Sequence, residues 1–71
     1  MNAIAEPRLD ADAYNKTDIF VAKYFDVDPQ TVRGWRKRGI GPPYKKIAGH
    51  LVRYQLSSLI KWAEEQRGSV E

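Results

Sequence analysis

Two helix signals lie back to back in this chain, and they constrain everything around them. Asp28-Pro29 marks a helix start. Aspartate is a good N-cap, and proline at the first helical position gives up only an N–H that would go unpaired anyway. Upstream, Thr17 can cap an earlier helix, with Asp18 near the positive end of its dipole. Val21, Ala22 and Phe25 then lie at i, i+1 and i+4, which makes one apolar stripe. Asp26-Val27 breaks the pattern and leaves Val27 to plug the turn. The first helix is expected to run through about Phe25. The second is expected from Pro29 to about Arg38, where Gly39 stops it. A connection of about three residues is that of a helix-turn-helix.

Gly41-Pro42-Pro43 cannot be helical and forces an extended turn. Tyr44 to Ile47 and Leu51 to Tyr54 read as two short strands, joined by the glycine-containing Ala48-Gly49-His50 loop. Ser57 or Ser58 can cap a third helix whose apolar face is Leu56, Leu59, Trp62 and Ala63, with Gly68 as its stop. A hairpin placed directly after a helix-turn-helix is a wing. The expected fold is therefore mainly α with a small β-hairpin, a winged helix-turn-helix spanning 14–67. Residues 1–13 read as a flexible N-terminal arm and 68–71 as a C-terminal tail.

At 71 residues the chain holds one domain with a thin core, about 60% of its unfolded surface being buried. That leaves little room for a deep substrate pocket. It has no cysteine, hence no thiolate metal site, disulfide or Cys nucleophile. No apolar run approaches the roughly 20 residues that span a bilayer, and Met1 to Ala13 does not read as a signal peptide. A cytoplasmic protein without membrane attachment is expected. Nothing reads as paired catalytic carboxylates, a nucleophile–histidine motif, a phosphate-binding glycine loop or a metal cluster, so neither an enzyme nor a cofactor is expected.

The net charge of +3 hides a strong asymmetry. Residues 1–28 carry six acids against three bases. Residues 29–63 carry Arg33, Arg36, Lys37, Arg38, Lys45, Lys46, Arg53 and Lys61 and no acid at all. A concentrated positive field favours a polyanion.

On a helical wheel with Val32 at zero, Trp35 falls near 300° and shares the buried side. Gln30, Arg33, Lys37 and Gly34 occupy the opposite side, at about 100–200°, and Thr31 and Arg38 flank it. Arginine reads guanine O6 and N7, and glutamine reads adenine N6 and N7, so this face suits a major groove. Gly34 costs a helix about 1 kcal/mol relative to alanine. Either it admits a DNA backbone closely, or it is merely tolerated. Arg36, at about 40°, sits at the buried edge. It either contacts phosphate, or covers Trp35 while pairing with Glu64 or Glu65. Trp35 and Trp62 read as core.

On the wing, Lys45, Lys46, Gly49, His50 and Arg53 are the candidate contacts to phosphate or minor groove. Adjacent strand residues face opposite ways, so only one of Lys45 and Lys46 can face the DNA. His50 is either a solvated loop residue or a contact at the wing tip; a lone histidine makes no usual metal site.

Val21 to Gly39, with its Asp28-Pro29-Gln30-Thr31-Val32-Arg33-Gly34-Trp35 core, resembles the helix-turn-helix of MerR-like excisionases. These are the recombination directionality factors of phages and integrated elements. Tyr44-Lys45-Lys46-Ile47, Val52-Arg53-Tyr54 and Ser57-Ser58-Leu59 followed by Trp62 continue the resemblance, which covers roughly Thr17 to Arg67. It implies a small protein of a bacterial host cell, associated with the nucleoid, that binds and bends attachment-site DNA and steers an integrase toward excision. It places the recognition-helix contacts on Gln30, Thr31, Arg33, Gly34 and Lys37. The wing contacts fall on Lys46, Gly49, His50 and Arg53. Implied partners are double-stranded DNA, an integrase and further copies of the chain on adjacent sites. With no long dimerising helix or sensing domain after the third helix, no small-molecule effector is expected. Two departures stand out: Ala-Gly-His at the wing tip where many relatives carry arginines, and Ser-Ser where Ser-Asp is common.

A small transcriptional regulator of phage or plasmid with the same domain is the alternative. A protein-interaction module is a third reading, against which the wheel's lack of a broad exposed apolar surface argues.

Overall fold

Thr17 opens the first helix as its sequence suggests. A computed structural model gives the fold and describes residues 12–66. The Thr17 hydroxyl accepts from the Phe20 N–H at 3.1 Å, and helix α1 runs Asp18–Phe25. Asp26 ends it in the left-handed region (φ 59°), which aspartate tolerates better than most residues. Val27 then donates to the Ala22 carbonyl at 2.8 Å and packs against the core. Helix α2, Pro29–Lys37, begins three residues after α1 ends. The Asp28 side chain makes no capping hydrogen bond, contrary to expectation; its backbone carbonyl takes the N–H groups of Thr31 and Val32 instead. Arg38 is the C-cap of α2 rather than its last turn.

Three strands follow the order β1-β3-β2, all antiparallel: β1 Tyr14–Lys16, β2 Lys45–Ile47 and β3 Leu51–Gln55. The β2–β3 hairpin is the expected wing. β1 was not legible in the sequence, because three residues are too few to show alternation. Helix α3, Leu56–Glu65, begins directly after β3. Neither Ser57 nor Ser58 is its N-cap; that position is Gln55, whose side chain gives no capping bond. The capping group comes from the other end of the chain. The Asp12 carboxylate accepts from the Ser57 N–H and hydroxyl, each at 3.0 Å, and from the Gln55 amide at 3.1 Å. Apart from Asp12 and Ala13, the expected arm lies outside the described residues, as does the tail 68–71.

The core joins every helix to the sheet. Val21 and Ala22 of α1, Val32 of α2, Tyr54 of β3 and Leu59 of α3 are buried together. Phe25, Trp35 and Trp62 pack around it edge to face or tilted, with ring centroids 5.2–6.0 Å apart. Such pairs add about 0.5–1.5 kcal/mol each beyond their burial. These elements make a winged helix-turn-helix. No helix among the described residues is long and apolar enough to cross a membrane. The surface is more apolar than the α2 wheel suggests: Ile19, Phe20, Tyr24, Ile40, Tyr44, Ile47, Leu51 and Ile60 are all exposed.

Burial pushes the Tyr54 phenol above its ordinary value, against a smaller opposing pull from the Arg36 guanidinium. The folded state therefore binds this proton more tightly than the unfolded chain does. Its contribution to stability is complete below about pH 10, the unfolded tyrosine value, and is lost as pH rises through the folded value. Thermal melts between about pH 9 and 11.5 should show a decline above pH 10. Tyr54→Phe should flatten that decline; an unchanged decline would mean that the burial of Tyr54 is not its source.

Candidate nucleic-acid interface

Helix α2 presents Gln30, Thr31, Arg33 and Lys37 to solvent, with Gly34 half-buried between them and Arg38 exposed at the helix end. A Cβ built on Gly34 meets nothing within 4 Å, so no internal contact demands glycine there. The protein surface at Gly34 is open.

Arg36 turns the other way. Its Nη1 donates to Asp18 Oδ1 at 2.7 Å and to the Tyr54 hydroxyl at 3.0 Å, and its Nη2 donates to Asp18 Oδ2 at 3.3 Å. The guanidinium also lies 5.6 Å from the Tyr44 ring centroid. Its partner is thus Asp18, neither Glu64 nor Glu65, and its donors point into the protein. The Asp18 hydrogen bond raises its already high pKa further, so it is charged at every accessible pH. Arg33 Nε lies 3.4 Å from Asp18 Oδ2, while its side chain stays 49% exposed. One carboxylate at the start of α1 therefore holds both arginines of the second helix. The sequence around Asp18 signals only a dipole partner, and its distance of 15 and 18 positions from Arg33 and Arg36 leaves no local signature.

The wing register sorts its cations. Lys45 pairs with Arg53, Lys46 with Val52, and Ile47 with Leu51. Cross-strand partners share a face. Val52 and Tyr54 turn inward, so Lys46 shares their side, while Lys45, Ile47, Leu51 and Arg53 share the other. Lys45 lies 4.5 Å from the Tyr14 ring centroid, and Arg53 Nη1 donates to the Val52 carbonyl at 2.8 Å. Like charges directly opposite on a ladder are destabilising. Lys45 and Arg53 are such a pair, and an anion laid across them would relieve it.

Ala48 and Gly49 form the tip of the wing with φ of 54° and 80°, and His50 N–H closes the turn on the Ile47 carbonyl at 3.2 Å. His50 Nδ1 lies 3.0 Å from the Ala48 carbonyl, which holds the ring over the turn. Between wing and helices runs a groove of about 300 Å³, lined by Asp18, Ile19, Arg33, His50, Leu51 and Arg53 among others. The fold thus brings Arg33 of α2 beside His50 and Arg53 of the wing. It keeps Arg36 on the inner side of the same groove, engaged with Asp18.

The family model described as helix-turn-helix domain matches residues 21–67, which is α1 from Val21 through α2, wing and α3. No curated protein and no solved structure matches the chain.

Proposed function

The chain belongs to the helix-turn-helix domain family, whose members bind DNA, and from that premise we propose that it is an excisionase-type recombination directionality factor of the MerR-like kind. The observation that carries this reading is the acid-free run 29–63, folded into one basic helix face and one basic wing on either side of a groove. Gln30, Thr31, Arg33, Gly34 and Lys37 enter the major groove. Arg38, Lys45, Gly49, His50 and Arg53 follow the backbone and the neighbouring minor groove, while Lys46, on the opposite face of the wing, adds only to the long-range field. Arg36 supports Arg33 from within through Asp18. Bound side by side on adjacent sites, copies bend attachment-site DNA for an integrase.

Selection of duplexes from a random pool at about 0.15 M salt, where weak electrostatic binding is suppressed, tests the reading. A motif recovered in tandem direct repeats supports it. A palindromic motif supports a dimeric transcriptional regulator instead, and no enrichment removes sequence reading altogether.

Arg33→Ala should erase sequence preference, at a cost of about 1–3 kcal/mol on the preferred site. Lys45→Ala, on the face shared with Arg53, should weaken all duplexes evenly and lower the salt slope by about one unit. Filter binding across salt concentrations separates the two; unchanged affinity in both variants would dismiss this docking. Gly34→Ala should stabilise α2 by roughly 0.5–1 kcal/mol, because its Cβ enters open space. The same variant should bind DNA more weakly, and equal or tighter binding would show that nothing approaches Gly34 closely.

A further inference from the structure

Ile47 and Leu51 are the last paired residues of the wing, directly opposite one another before the Ala48–His50 turn. Each is 41% exposed. A cross-strand apolar pair can staple a hairpin. A staple accounts for the pairing but not for the apolar surface left open beside the hairpin turn. The setting of the pair is cationic: Lys45 and Arg53 share its face of the ribbon, Lys46 precedes Ile47 in the chain, and no acid occurs between residues 29 and 63. An apolar tip bracketed by cations matches a surface with anionic rims and an apolar floor. A DNA minor groove has both, in its phosphates and its stacked bases.

The dimensions add a requirement. The two backbones of a β-ribbon lie about 4.8 Å apart, and an unbent minor groove is only about 6 Å wide. The ribbon with its side chains enters only where that groove is opened. Apolar side chains open it by parting a base step and bending the duplex toward the major groove. Resting on the DNA-binding reading above, we infer that Ile47 and Leu51 form an apolar wedge that enters the minor groove beside the α2 site and unstacks one base step. Pyrimidine–purine steps deform most readily, so the wedge selects them without hydrogen-bonding to a base. A single copy on a single site, with no neighbour to stack on, then bends the duplex through its wing alone.

The test uses the full chain on a duplex that carries one copy of its selected site, with 2-aminopurine moved step by step through the wing half-site and dyes at both ends. Wild type should raise 2-aminopurine fluorescence at one step and bend the duplex by about 20–90°. Ile47→Thr with Leu51→Thr puts strand-favouring β-branched residues at both positions and should still bind while losing both signals. Leu51→Phe keeps an apolar tip and should retain both, which guards against misfolding of the threonine variant. Binding by wild type without bend or unstacked step overturns the wedge alone. Bending that survives in a folded threonine variant also overturns it. Failure of wild type to bind any duplex overturns the DNA-binding reading and the wedge with it.

Discussion

Asp18→Ala should cost about 2–3 kcal/mol of unfolding free energy, a large share of the stability of a domain this small. The Asp18 and Arg36 side chains are only 17% and 20% exposed, and two hydrogen bonds of 2.7 and 3.3 Å join them. Removing one partner of a buried pair leaves the other charged and desolvated, and full burial costs about 3–5 kcal/mol. A fifth of each group still meets water, which places the figure at the lower end. The Tyr54 hydroxyl cannot replace the carboxylate, because it balances no charge. For a domain of this length the expected fall in Tm is about 10–20 °C, at about 4–8 °C per kcal/mol. The Arg33 contact adds little, being a longer link to a half-exposed group. Urea unfolding of Asp18→Ala, Arg36→Ala and the double variant measures the coupling. A loss below about 1 kcal/mol would reclassify the pair as an ordinary surface contact.

Gly41→Ala should cost about 2–3 kcal/mol, opposite in sign to the same substitution at Gly34. Gly41 has φ of 93°, a conformation that L side chains rarely adopt, and a Cβ there would sit 3.0 Å from Trp35 Cβ. Backbone strain accounts for about 1–2 kcal/mol, and the clash supplies the remainder. Trp35 cannot move aside freely, because its ring packs on Phe25 and Trp62. The chain leaving α2 thus lies against the tryptophan that anchors α2 in the core. Chemical unfolding, together with the near-ultraviolet signal of the two tryptophans, checks this. A stable Gly41→Ala with unchanged tryptophan environment would mean that the Gly39–Pro43 segment yields readily.

These two glycines show how far local reading reaches. The sequence marked Gly41-Pro42-Pro43 as a turn and left Gly34 between close approach and tolerance. Only the packing against Trp35 shows that the first position is obligatory, and only the open space at the second turns its two readings into opposite expected results on DNA. The wing tells the same story. Its strands are legible from β-branched and aromatic runs around a glycine, and the three-residue loop fixes the register that puts Lys45 opposite Arg53 and Ile47 opposite Leu51, but which face turns inward is decided by the packing of Val52 and Tyr54 on the core.

The helix-turn-helix, the wing, the third helix and the basic face of α2 are all written in the order of residues along the chain. Caps, turn residues and apolar periodicity act within about four residues, so their signals lie contiguous in the chain. The contacts with no local signature join residues far apart in the chain. Asp18 reaches 18 positions to Arg36, Tyr14 pairs with Gln55, and Asp12 spans 45 positions to cap α3 at Ser57. Such contacts form once the core has drawn the elements together. An isolated aspartate has no periodicity and many possible basic partners, so its neighbour is chosen by packing.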